Sequence, residues 1–348
     1  MLGFYLVKIL FLATLSFVAA FIVTPFLSHF LYKYKMGKHI RSDGSTPVMS
    51  ALHAKKAGTP TMGGILMWGT TLCLALLFFY LHSWFPDSWI GRLNFLSRSE
   101  TLLPLGALVL AGLVGMADDW FNINRMISKS GGFTMKQRLG LYTVVASICA
   151  WWFYSKLGWD IFHVPFLGDF SIGWWYIPIF IFIIVATAFS VNEIDGLDGL
   201  AGGTLLAAFM SMAVMAFLLG RYDLAAFCGV IMGSLLAFLW YNIPPARFYM
   251  GDTGAMSLGV VLGIMAMLTN TALFLPIIGI LFVVESLSVI IQLLSKRFRG
   301  KKVFLSAPIH HHLEAIGWPE SKIVMRFWVI SAVSAAFGLA LFILDRIL

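Results

Sequence analysis

Charge is the scarcest resource in this chain. Only 11% of its 348 residues are Asp, Glu, Lys or Arg, whereas 60% are hydrophobic, and the mean hydropathy is +0.89. That composition leaves no room for a large water-soluble domain. Cysteine is almost as rare. Cys73, Cys149 and Cys228 fall far apart inside apolar runs, which argues against a disulfide framework or a zinc site. No low-complexity tract, linker or inverted repeat breaks the chain. A cleavable leader is also missing from the reading: the first apolar run, Ile9 to Phe30, is too long for a signal-peptide core and has no small-x-small site, so it reads as a retained span.

What the chain does have is a succession of apolar runs of about 20 residues, each long enough to cross the hydrocarbon core. Ten spans are expected, at 6–31, 62–83, 102–117, 138–157, 173–190, 199–219, 223–240, 255–270, 273–295 and 323–345. The expectation is an all-α polytopic membrane protein, one transmembrane domain over residues 1–348. Assigning the connections alternately to two sides puts 18 of the 24 Lys and Arg on one side, among them Lys33, Lys56, Arg125, Lys129, Arg138, Arg247 and Arg297. The positive-inside rule makes that side cytoplasmic and both termini external. Trp84, Trp89, Trp159, Trp174 and Trp175 flank the outer loops as an interfacial aromatic belt would. The net charge of +8 therefore reflects membrane orientation and contact with lipids; no nucleic-acid partner is expected.

The acids then sort themselves. Asp118, Asp119, Glu193, Asp195, Asp198 and Asp252 all lie at cytoplasmic mouths of spans, while the outer acids are scattered. The densest stretch is Ser190–Gly203, with three carboxylates and four glycines between two apolar runs. Asp195 and Asp198, three apart, share one face if a helix begins there, and the glycines permit close approach of a planar or phosphorylated ligand. Asp118 and Asp119 are adjacent carboxylates that repel unless a cation sits between them, as wanted beside a divalent metal. Asp252 sits between Gly251 and Gly254; its Asp-Thr-Gly triplet occurs in aspartic proteases too, but no partner motif faces the same side. The segment Lys55–Gly64 offers Thr59, Thr61 and backbone N–H groups to a phosphate, with ordinary positive-inside lysines as the plainer alternative. His310, His311 and His312 cannot all reach one metal from a helix, so phosphate or head-group binding and a plain surface loop both stay open. Glu285, inside a span, marks a polar groove or a buried contact. Carboxylates for Mg²⁺, glycine turns for phosphates and a wall of lipid-facing helices describe phosphoryl transfer from a soluble nucleotide-linked donor to a lipid.

These motifs resemble one family. GTPTMGG (58–64), the Asp118–Asp119 pair, NEIDGLDGLAGG (192–203), YNIPPARFYMGDTG (241–254), VVESLSV (283–289) and APIHHHLEAIGWPE (307–320) follow the order of the phospho-N-acetylmuramoyl-pentapeptide transferase family, within the polyprenyl-phosphate N-acetylhexosamine-1-phosphate transferases. The resemblance implies an Mg²⁺-dependent enzyme of the bacterial cytoplasmic membrane. It would take UDP-MurNAc-pentapeptide and undecaprenyl phosphate to lipid I and UMP, with the active site facing the cytoplasm. It implies Asp118, Asp119 and Asp252 as catalytic carboxylates, with Asp252 and Asp119 as metal ligands. Asn192, Asp195, Gly196, Leu197, Asp198, Asn242 and Tyr249 would line the nucleotide end. Lys56 and Thr61 would lie near the nucleoside or phosphates, and His310, His311 and His312 would contact the donor. It also suggests a homodimer.

Four positions depart from the family pattern. Asn122 stands where a Lys is expected after the Asp pair, Phe189 replaces an Asn, and Glu193–Ile194 replaces an apolar–Thr pair in a form closer to the N-acetylglucosamine branch. A UDP-N-acetylglucosamine transferase is thus the alternative within the class; a transporter or lipid flippase is the alternative outside it. A covalent phospho-aspartate route stays open.

Overall fold

The computed structural model describes residues 2–37, 58–97, 100–124, 126 and 132–348. Its long helices follow the ten apolar runs: α1 Leu2–Lys33, α2 Ile65–Trp84, α3 Leu102–Asn124, α4 Met135–Lys156, α5 Tyr176–Ile194, α6 Leu200–Leu218, α7 Tyr222–Asn242, α8 Gly251–Leu268, α10 Ile280–Arg299 and α12 Glu320–Ile347. Two short helices, α9 Leu275–Ile278 and α11 Ile309–Ala315, sit between the last long ones. Eight helices among the described residues are long and apolar enough to cross a membrane. The two others are α4 and α10, which carry more polar residues.

The bundle is built around α8. All 18 of its residues are buried, and it packs against α3 and α5 and touches α2 and α6. Small residues permit this. A Cβ on Gly115 of α3 would run into the backbone of Asp252 and Thr253, and one on Gly64 would run into the backbone of Gly254. Without a strong hydrophobic drive between helices in lipid, such close backbone approach supplies the packing energy. The outer helices show the opposite balance: α1 and α12 expose large apolar side chains such as Phe26, Val329 and Val333.

Helix α10 is inside out. Its buried stripe holds Glu285, Ser286, Ser288, Gln292 and Ser295, while Leu287, Ile290, Ile291, Leu293 and Leu294 face outward. A helix of this kind suits a lipid surround and an interior with polar business to conduct. Gln292 accepts from the N–H groups of Val303 and Phe304 and donates to the Phe304 carbonyl, and Ser295 donates to Lys301, so the polar stripe anchors the loop that leads to α11.

Three features differ from the sequence reading. Helix α3 does not stop at residue 117 but continues to Asn124, so Asp118 and Asp119 lie within its last two turns. Hydropathy marks where the apolar stretch ends, and nothing in Asp-Asp-Trp-Phe-Asn breaks a helix there. Asp195 and Asp198 do not share a helical face: Asp195 caps α5, and α6 begins only at Leu200, after Gly199 takes a left-handed φ of 80°. Between α4 and α5, a hairpin of β1 Ile161–Val164 and β2 Gly168–Ser171 was not expected. His163 holds it in place, with Nδ1 at 2.6 Å from Asp169 and Nε2 at 2.7 Å from Asp345 near the end of α12.

Candidate active site

Two helix ends meet at one mouth of the bundle, the C-terminal turns of α3 and the first turn of α8. Helix α8 brings no side-chain cap of its own. Asp119 supplies one from the neighbouring helix. Its carboxylate accepts the N–H groups of Asp252 and Thr253 at 3.3 and 3.0 Å, the Thr253 hydroxyl at 2.7 Å and the Thr61 hydroxyl at 3.2 Å. An anion at the positive end of a helix is favourable, and more so when buried. The turn before it needs Gly251: φ is +72°, and a Cβ would meet both Thr61 and Asp119.

Asp118 points to a different neighbour. The Phe133 N–H donates to its Oδ1, and Oδ2 lies 2.8 Å from Arg138 Nε. The same guanidinium donates to Asp252 Oδ2 at 2.9 Å and to Asn192 Oδ1 at 3.1 Å. Asn192 completes the circuit by donating its amide to Asp252 Oδ1 at 2.5 Å. Arg138 is held in position by the start of α4, where Thr134 and Gln137 form a reciprocal capping box. One cation therefore serves two carboxylates buried at the membrane mouth, where an uncompensated charge would be costly. Two buried oxygens at this cluster, Asn122 Oδ1 and the Tyr142 hydroxyl, have no hydrogen-bond partner among the described residues.

The second group of expected residues forms a separate layer. Gly199 N–H donates to Asn242 Oδ1, whose amide donates to the Phe248 carbonyl; the Ala246 N–H donates to Asp198 Oδ2 at 3.0 Å. The Asp198 N–H in turn donates to Glu320. Asp198, Asn242 and Leu197 are thus buried braces of two facing turns, 195–199 and 243–250, while Asn192, Asp195, Gly196 and Tyr249 are partly open. The 58–64 segment differs from its expected role. Thr61 N–H pairs with Met36, Gly63 and Gly64 pair with Tyr249 and Met250, and the Thr61 hydroxyl goes to Asp119. Backbone at membrane depth has to be satisfied internally, so these donors fasten the Asp252 turn instead of facing a phosphate. Lys56, with Arg125 and Lys129, lies outside the described residues.

The three histidines diverge. His310 Nδ1 lies 3.0 Å from Glu285, His311 Nδ1 lies 2.7 Å from Glu314, and His312 Nδ1 accepts the Leu305 N–H. His310 reaches the 195–199 turn, its ring packed where a Cβ on Gly196 would be. The residue that sequence reading missed is Arg138, counted there only as one more inside charge. The signal was available: a cation within a span normally has a partner inside the bundle.

The helical membrane bundle that gathers carboxylates and an arginine at one mouth falls in a transferase class by sequence: the family model for glycosyl transferase family 4 matches residues 101–270. The signature described as phospho-N-acetylmuramoyl-pentapeptide-transferase signature 1 matches residues 56–66. Proteins named phospho-N-acetylmuramoyl-pentapeptide-transferase are similar over nearly the whole chain. That of Chloroflexus aggregans is 38% identical, over 96% of this chain and 89% of its own. That of Clostridium perfringens is 36% identical over 94% and 96%, and that of a Geobacillus species 36% over 93% and 95%. The chain belongs to the phospho-N-acetylmuramoyl-pentapeptide-transferase family.

Proposed function

We propose that the protein transfers phospho-MurNAc-pentapeptide from its UDP carrier to undecaprenyl phosphate, releasing UMP and leaving lipid I in the membrane. The observation that carries the reading is the junction of Asp118 and Asp252 across Arg138 at a bundle mouth, in a chain of this family. Phosphoryl transfer asks mainly for positioning and charge compensation. Arg138 supplies a fixed positive charge for a diphosphate. An acceptor phosphate, with a second pKa of about 6, is already largely ionised at neutral pH. Asp118 therefore has only to orient it or take a residual proton. The lysine and arginine asymmetry supports placing this mouth on the cytoplasmic side.

Mg²⁺ fits the donors present. They are hard carboxylate oxygens, and the Asn122 amide oxygen beside them lacks a hydrogen-bond partner among the described residues. No three His, Cys, Asp or Glu side chains among the described residues form a closed metal cage. Mg²⁺ seldom uses one, preferring one or two carboxylates with substrate phosphates completing its shell. Asp252, with Asp118 opposite, would hold the ion, which when bound neutralises developing charge on the diphosphate. Asp119 is reassigned. A carboxylate has about four lone-pair sites, and four donors already meet this one. Its part is to hold Asp252 in place.

The test is UMP release by detergent-purified protein with undecaprenyl phosphate, comparing UDP-MurNAc-pentapeptide with UDP-GlcNAc, each with and without Mg²⁺. Mg²⁺-dependent release with the pentapeptide donor alone is expected. Release with UDP-GlcNAc alone would overturn the assignment and favour the branch suggested by Glu193–Ile194.

A further inference from the structure

Glu285 and His310 are both fully buried, and neither belongs to the carboxylate–arginine cluster. They come from different elements, the polar stripe of α10 and the short α11, and meet at 3.0 Å. Each keeps one polar atom without a hydrogen-bond partner among the described residues, Glu285 Oε1 and His310 Nε2. That second nitrogen is not directed at random. It lies against Gly196, where any side chain would displace the ring. Gly196 is thus glycine because an imidazole fills the space its Cβ would need, and the turn bearing Asp195 and Asp198 rests on that imidazole. A buried, unsatisfied ring nitrogen is costly, and such cost at one point of a loop is usual where a loop has work to do.

We propose that Glu285 is a positioning residue for the nucleotide end of the site: through His310 it fixes the 195–199 turn from beneath, so that this turn is preset to receive the uridine nucleotide. The proposal rests on reading residues 192–199 as the nucleotide end. It also assigns different parts to the three histidines, since the Nδ1 atoms of His311 and His312 are engaged by Glu314 and by the Leu305 N–H.

The prop is titratable. Burial alone pulls the His310 pKa down, but the Glu285 carboxylate outweighs it and holds the imidazole above its ordinary value, with smaller help from Glu314 and Glu193. The His311 ring centroid lies 4.1 Å away, and Asp195 adjoins the Gly196 contact. A raised pKa means that the imidazolium form contributes fully below about pH 6.5 and that its contribution fades as pH rises through the elevated value. Nucleotide affinity should therefore carry a basic limb set by His310. In Glu285→Gln, which keeps shape and loses charge, burial dominates and the limb moves to lower pH.

The experiment is UMP binding by calorimetry to detergent-purified full-length protein, from about pH 6 to about pH 9. Glu285→Gln should weaken UMP about tenfold near neutrality, the scale of one charge-assisted hydrogen bond, and shift the limb to lower pH. Gly196→Ala, which disturbs the same contact from the other side, should weaken UMP as well. Its effect should not add to that of Glu285→Gln in the double variant, and it gives a second handle if Glu285→Gln folds poorly. Wild-type affinity and an unmoved limb in whichever variants fold would overturn the proposal alone. Failure of the wild-type protein to bind UMP would overturn the nucleotide reading and the proposal with it.

Discussion

Arg138 stands between Asp118 and Asp252, 2.8 Å from one and 2.9 Å from the other, and so joins three helices through one guanidinium. The two carboxylates face a cation already provided by the chain, and a divalent ion held by Asp252, as proposed, would have to share that carboxylate with it.

Removing the cation tests this relationship. Arg138→Gln leaves two buried carboxylates with one fewer positive charge, a change that costs about 3–5 kcal/mol when a buried ion pair loses one partner. Mg²⁺ should then raise the melting temperature of the variant more than that of the wild type. An equal rise in both would show that ion and guanidinium do not share the site.

Asp252→Asn keeps the side-chain shape and its amide partner Asn192 while deleting the charge. Turnover should fall by about 10²- to 10³-fold, the scale of a single preorganised electrostatic contact. Mg²⁺ dependence should weaken as the melting temperature stays near wild type. Near-normal UMP release would remove Asp252 from the site.

Thr253→Val separates positioning from ligation at Asp119. The hydroxyl donates to the carboxylate at 2.7 Å, and a hydrogen bond to a charged group is worth about 1.5–3 kcal/mol. Stability measured by thermal unfolding should drop by that order, with the Mg²⁺ concentration for half-maximal activity unchanged. A shift in that concentration comparable to the one in Asp252→Asn would return Asp119 to the metal ligands.

Asp198→Asn acts on the layer proposed to receive the nucleotide. Its Oδ2 accepts the Ala246 N–H that joins the two turns, and an amide nitrogen placed there would repel it. The KM for the UDP-linked donor should rise several-fold more than the KM for undecaprenyl phosphate. Equal changes in both would contradict a role at the nucleotide end.

The bundle was largely legible because an apolar run of about 20 residues has few other places to go. The mouth residues were legible as a set because acids are so few that six at the ends of spans stand out. Their division of labour was not. Asp118 and Asp119 are identical in chemistry and adjacent in sequence, yet α3 turns one toward Arg138 and the other toward the α8 amides, and only the helix continuing past residue 117 reveals the difference. Asp195 and Asp198 looked helical by spacing, whereas the left-handed Gly199 set the actual start of α6. Arg138 was hidden among lysines and arginines whose positions already had a topological explanation. Glu285 was marked by its depth, but the partner that gives it meaning lies 25 residues on.

Helix α8 meets other helices on every side. Changes in bilayer thickness act first on segments that touch acyl chains, by tilting them, and the helices that expose large apolar side chains include α1, α4, α12 and the outward face of α10. The axis that carries Asp252 is shielded from that pull. Reconstitution in membranes of differing acyl length should therefore alter how the protein sits far more than how the carboxylates of the mouth are spaced, and UMP release should tolerate lipid environments that the outer wall does not.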